Sequence, residues 1–160
     1  MGKKLCTIIS LVAGVAVVMM LSSAPDLSAG TEVADVIKME NKAYAKHKKG
    51  IVEFSHKKHV EEYKTGCGEC HHDKEGKPLE NLKAGDDVQN CIVCHKKPDY
   101  LKGKAAKGIS KEDQRAYHAN ALHDNCRGCH KKFNKKKGLK SKDKGAAPTT
   151  CKACHPKKPK

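Results

Sequence analysis

The 160-residue chain contains no tryptophan, and its aromatic complement is two phenylalanines and four tyrosines. So thin a set of large side chains cannot form the packed interior on which a domain of this size ordinarily relies. Long apolar runs are nearly absent as well: one extends from Leu5 to Leu21, and none follows it. Lys3 and Lys4 precede that run and Ser22, Ser23 and Ala24 follow it, the order of a secretory signal. The small residues Ser28, Ala29 and Gly30 predict cleavage after Ala29 or Gly30, whereas Pro25 disfavours a cut after Ala24. The run falls short of the ~20 residues that a bilayer span needs, and Cys6 lies at its start rather than after its end, the wrong place for a lipoprotein signal. The expectation is a signal peptide over 1–30 and one domain over 31–160, periplasmic and without a membrane span. Export also sets nucleic acid aside as a partner. No glycine-rich phosphate loop, Ser/His/Asp arrangement or paired-carboxylate site is present, so organic-chemistry catalysis has no candidate.

What the chain has is a motif written four times. Cys-x-x-Cys-His occurs at Cys67–His71, Cys91–His95, Cys126–His130 and Cys151–His155. This is the attachment signal for c-type haem. The two thiols, Cys67 and Cys70, Cys91 and Cys94, Cys126 and Cys129, or Cys151 and Cys154, add across the porphyrin vinyl groups. The next residue, His71, His95, His130 or His155, is thereby carried onto one axial face of the iron. Paired CxxC sequences can also build a zinc site, and an even cysteine count can be a disulfide framework. Neither explains a histidine after every second cysteine. With 10 histidines in 160 residues, four such placements by chance have a probability of roughly one in 65,000. The reading is four haem c. Once Cys6 leaves with the signal, every cysteine is used by a motif.

About 130 mature residues then serve four haems, about 33 residues each. The macrocycles must supply most of the buried apolar area, so the chain should be unstable without them. The expected fold class is mainly α with extensive loops and a small N-terminal β-hairpin, a multihaem cytochrome c fold wrapped around four haems. The hairpin is expected from Val36–Met39 and Ile51–Phe54, and a short helix over His56–Lys64. Loops are expected over Lys74–Gln89, Pro98–Gly108 and Lys131–Ala147. A helix capped by Ser110, with Asp113 three residues on, should run to about Asn125. The motifs recur at separations of 24, 35 and 25 residues and share nothing else, so this is no solenoid.

Histidine arithmetic bears on the second axial position. Outside the motifs stand His47, His56, His59, His72, His118 and His123, while the mature chain keeps one methionine, Met39. Six histidines for four vacancies favour bis-histidine ligation. Methionine ligation raises the potential of haem iron, so its near absence predicts low potentials. With both axial faces occupied, no site is open for small-molecule catalysis. His118 and His47 are expected not to ligate. Phe54 is expected to pack against either the first haem or its distal imidazole, or simply as an apolar residue.

The stretch Val52-Glu53-Phe54-Ser55-His56-Lys57-Lys58-His59, followed by Cys67-Gly68-Glu69-Cys70-His71-His72, resembles the N-terminal half of the class III tetrahaem cytochromes c, the cytochrome c3 family. The resemblance extends from about Val36 to His155. It implies that His56 pairs with His71, His72 with His95, His59 with His130, and His123 with His155. It differs from many members in having two residues in every Cys–Cys gap, which places the chain nearer an all-CxxCH branch. The local logic agrees: His56 and His59 share one side of a helix a turn apart, and the adjacent His71 and His72 diverge toward different irons.

The formal charge of +15 falls to +14 when Lys3, Lys4 and Asp26 leave with the signal. Twelve lysines and the single acid Asp143 lie in residues 131–160, so +11 of that charge sits beside the third and fourth motifs. Each ferric haem with ionised propionates adds about −1, which lowers this field without reversing it. Such a patch steers acidic redox partners, although a lysine-rich loop that only aids solubility has the same composition. The resemblance implies a carrier, not an enzyme, that takes electrons from periplasmic hydrogenase or formate dehydrogenase and passes them to membrane-bound cytochrome complexes in anaerobic respiration. A terminal reductase acting on extracellular metal or another oxidant, and a haem-bearing subunit of a larger complex, are the alternatives.

Overall fold

The computed structural model describes residues 34–157 and, by backbone alone, Ser28–Ala29. The rest of the segment read as a signal, including its apolar run, lies outside the described residues. Ser28–Ala29 form β1, which pairs antiparallel with β4 (Val88–Gln89). The expected loop over Lys74–Gln89 therefore ends in a two-residue strand.

The expected hairpin is present. β2 (Ile37–Lys38) pairs antiparallel with β3 (Glu53–Phe54), Ile37 opposite Phe54 and Lys38 opposite Glu53. This register sets an apolar cross-strand pair on one face and a charged pair on the other. The Met39 N–H donates to the Val52 carbonyl at 2.9 Å and lengthens the ladder. From β3 the chain turns directly into α1 (His56–Glu61), shorter than the sequence suggests. Lys64, at φ 52°, has already left helical geometry. The Lys57 ammonium reaches Asp35 at 3.1 Å and links α1 to the approach to β2.

The helix expected from Ser110 is broken in two. α2 spans only Lys111–Gln114, with the Ser110 hydroxyl accepting from the Asp113 N–H at 3.0 Å. Its continuation is diverted by Lys97. The Lys97 N–H donates to Ala116, and the His118 N–H donates to Lys97, in a parallel bridge opposite Tyr117. The chain then restarts as α3 (His118–Lys136), 19 residues long. α3 passes Asn125, contains the whole third motif, and takes in the first third of the stretch expected as the Lys131–Ala147 loop. Lysine is a good helix former, and the run carries no breaker before Gly138. There the Gly138 N–H reaches the Lys135 carbonyl and the Leu139 N–H the Asn134 carbonyl, with Gly138 at φ 65°. These two bonds and the left-handed glycine form a Schellman stop.

The loop beyond Gly138 is pinned back on α3. Asn134, 6% exposed, donates to the Ala147 carbonyl at 2.9 Å and accepts from the Ala147 N–H at 2.8 Å. Asn120 holds Leu101 in the same two-bonded way. The final helix, α4 (Cys151–Cys154), is capped by Thr150, which accepts from the Ala153 N–H.

No hydrophobic side chain is buried among the described residues; the buried ones are His118, Asn120 and Asn134. Polar pins and short ladders hold the described backbone in place. Helix is concentrated in α3, and most of the described chain is turn or irregular, so loops weigh more and helix less than expected. The architecture is a small antiparallel hairpin with a few helices strung on loops.

Candidate functional site

Each motif is one helical turn. In the first, second and fourth, the histidine N–H donates to the carbonyl of the first cysteine, at 2.8, 2.9 and 2.8 Å. The third motif obtains the same spacing from α3. Positions i, i+3 and i+4 share a face of such a turn, so both thiols and the imidazole address the same side. The second turn is opened by Asn90, whose side chain accepts from Ile92 N–H, and the fourth by Thr150.

The structure brings the expected histidines together in pairs. Ring centres lie 6.3 Å apart for His56 and His71, 5.8 Å for His72 and His95, 6.1 Å for His59 and His130, and 6.2 Å for His123 and His155. A metal–imidazole nitrogen bond is about 2.0 Å and the ring centre about 1.1 Å further, so two rings on opposite sides of one ion stand about 6.2 Å apart. All four gaps have the width of a six-coordinate ion held between two imidazoles. Below, these pairs are called sites 1, 2, 3 and 4, in the order of their motif cysteines.

Orientation comes from carbonyl groups. The Nδ1 atoms of His59, His72, His95, His130 and His155 lie 2.8, 2.7, 2.6, 2.7 and 2.9 Å from the carbonyl oxygens of Ser55, Asp73, Arg115, Pro148 and Gly50. A carbonyl oxygen only accepts, so each Nδ1 carries the proton and Nε2 keeps its lone pair for a metal. His56 and His123 differ, because their Nδ1 atoms are buried without a hydrogen-bond partner. Burial also holds the His56, His71 and His123 imidazoles below the ordinary histidine pKa, with neighbouring histidines acting in the same direction. The shift favours the neutral imidazole, the form that ligates.

The thiols converge. Protein packed around Cys70 pushes its thiol up to about 11, and the charges of Cys126, Cys129, Glu69 and Cys91 act in the same sense. Cys126 is likewise raised, chiefly by burial and then by Cys91 and Cys154. Sulfurs of the first, second and fourth motifs are thus all electrostatic neighbours of the third, which makes α3 the hub of the arrangement. No disulfide joins the thiols of the described residues. Among the described residues no three His, Cys, Asp or Glu side chains converge on one point, as a tetrahedral zinc site would require. Covalently held haem fits this donor set: paired imidazoles with two thiols beside each motif ring.

Several supporting residues escaped the sequence reading. Tyr100 packs at a tilt against His123, ring centres 4.6 Å apart, and Tyr63 meets His59 edge-on at 5.3 Å. The carbonyls of Gly50, Arg115 and Pro148 have no side-chain signal to announce them. Gly50 has a packing signature: a Cβ there would collide with the Pro156 carbonyl oxygen. Phe54 lies 5.8 Å from His56 and 4.7 Å from His59, touching one ring of site 1 and one of site 3. His118 faces Tyr44, its Nδ1 2.9 Å from the hydroxyl, and His47 stacks on Tyr44 at 5.1 Å. His118 also feels the charge of the motif residue His95, but its ring is engaged by the Tyr44 hydroxyl.

No helix among the described residues is long and apolar enough to cross a membrane. Searches of curated proteins and of solved structures each returned no match. The model of the Class III cytochrome C family matches residues 32–155, spanning every motif and every histidine pair. The chain belongs to the class III cytochrome c family, whose members bind haem c and serve as multihaem electron carriers.

Proposed function

We propose that this chain is a soluble periplasmic carrier of low-potential electrons holding four bis-histidine haem c groups. Cys67 and Cys70, Cys91 and Cys94, Cys126 and Cys129, and Cys151 and Cys154 form the thioether links. His56 with His71, His72 with His95, His59 with His130, and His123 with His155 supply the axial nitrogens. The observation that carries this reading is the set of four ring pairs 5.8–6.3 Å apart, each joining a motif histidine to one outside the motifs. Bound haem supplies a one-electron ferric/ferrous couple. The protein contributes two neutral imidazoles to each iron, lowering its potential relative to methionine ligation. It leaves no axial face for a substrate. His56 and His59 on α1, and His71 beside His72, hold neighbouring sites through short segments of chain, which favours passage of electrons among them.

The lysines of residues 131–160 surround the third and fourth motifs in sequence and give that end a positive field. Its partners are acidic redox proteins of the hydrogenase or formate dehydrogenase type and membrane-bound cytochrome complexes, docked weakly and briefly during anaerobic respiration. Haem quantification and the native spectrum test the proposal. The expected result is four haems per chain, wholly low-spin, with no carbon monoxide binding by the reduced protein. Fewer than four haems, or a high-spin component, would overturn the ligand set.

A further inference from the structure

The carbonyl anchors are distributed unequally over the four sites. At site 2 both rings are anchored, His72 on Asp73 and His95 on Arg115. At site 3 both are anchored again, His59 on Ser55 and His130 on Pro148. At site 4 His155 is anchored on Gly50. His123 Nδ1 there only faces the Ala119 carbonyl one turn back, without hydrogen-bond geometry. At site 1 neither ring is anchored: His56 Nδ1 is buried and unpartnered, and the His71 ring makes no hydrogen bond among the described residues.

An Nδ1–H that donates to a carbonyl makes its imidazole a stronger electron donor through Nε2. A stronger donor stabilises ferric over ferrous iron and lowers the potential. Burial without a partner does the reverse at His56, because neither protein nor water supplies the acceptor. We infer that this unequal anchoring grades the four irons, with site 1 the most readily reduced, site 4 intermediate, and sites 2 and 3 the least. The grading rests on the axial pairs proposed above.

The order follows from backbone placement. Asp73, Arg115 and Pro148 present their carbonyls because the chain turns there, and no side chain could be exchanged to supply them. The decisive comparison is site 1 against site 2. Residues 131–160 adjoin sites 3 and 4 in sequence, and their lysines favour the less positive, reduced iron at both. Site 1 in this arrangement collects electrons that sites 2 and 3 release.

The test is a redox titration of the holoprotein followed by NMR, with each haem assigned through its own attachment cysteines. Site 1 should be half-reduced ahead of site 2, with a ferrous/ferric ratio at least about tenfold higher at any set potential, about 59 mV for one electron. Reduction of site 2 before site 1, in a protein whose irons are all low-spin and bis-histidine, would overturn the grading. Signals of another axial ligand at site 1 would instead overturn the pairing itself. A variant gives a second check. In Gly50→Ala the added Cβ meets the Pro156 carbonyl oxygen, which displaces the Gly50 carbonyl from His155. Site 4 should then become easier to reduce while sites 1 and 2 keep their ratio, and an unmoved site 4 with a displaced His155 Nδ1–H signal would refute the mechanism.

Discussion

Replacing Asn134 by alanine tests how polar pins stand in for a core. The side chain is 6% exposed and makes two hydrogen bonds, both to the backbone of Ala147. Each contributes about 0.5–1.5 kcal/mol net, so losing both costs about 1–3 kcal/mol. At about 2–4 °C per kcal/mol for a chain of this size, the midpoint should fall by about 2–12 °C. The effect should also be local. Ala147 precedes Pro148, whose carbonyl anchors His130 at 2.7 Å, so a loosened loop disturbs site 3 before sites 1 and 2. Urea unfolding of the holoprotein, followed by far-ultraviolet circular dichroism, gives the stability change. NMR of the haem substituents gives the location. A loss below about 0.5 kcal/mol, the lower limit for a single bond, would refute the reasoning. So would equal disturbance at all sites.

Other outcomes follow from the same geometry. His123→Met should raise the potential of one iron, at site 4, and leave the other three nearly unmoved in spectroelectrochemistry; unchanged potentials in a folded variant would remove His123 from the ligand set. The ring planes of site 3 lie 21° apart, whereas those of sites 1 and 2 lie 69° and 67° apart. Near-parallel imidazoles separate two iron π-orbitals in energy and crossed ones leave them close, so in electron paramagnetic resonance site 3 should give the least anisotropic ferric signal. Tyr44→Phe should cost about 1–3 kcal/mol by leaving buried His118 without its hydroxyl partner, measured by urea unfolding, with no change in the haem spectrum. Lys142→Glu with Lys144→Glu should slow association with an acidic redox protein about tenfold at low salt, and the difference should shrink as ionic strength rises in stopped-flow mixing.

The chemistry of the motifs was legible because it is local: Cys126, Cys129 and His130 need only the pitch of one helical turn. The hairpin was legible for the same reason, its two β-prone stretches being separated by a short polar segment. The helix around His123 was misread where distant chain intervenes. Nothing near Ala116 announces that Lys97 will pair with it, so the break between α2 and α3 is invisible from Ser110 onward. Lys131–Lys136 looked like a solvated loop from its charge, yet its intrinsic preference is helical and the stop is set by Gly138. The ring anchors were least legible of all, since a carbonyl carries no residue identity. His155 reaches one 105 positions away, a contact that only the folded topology creates.

The absence of any buried hydrophobic side chain among the described residues has a bearing on how the cell judges a finished copy. A chain without its porphyrins would be open to proteases, because opening it forfeits so little buried apolar surface. Thioether bonds do not exchange as disulfides do, so each attachment is a step without return. Completion of the prosthetic set would thus decide how well a copy resists proteases, which limited proteolysis of partly loaded chains would show.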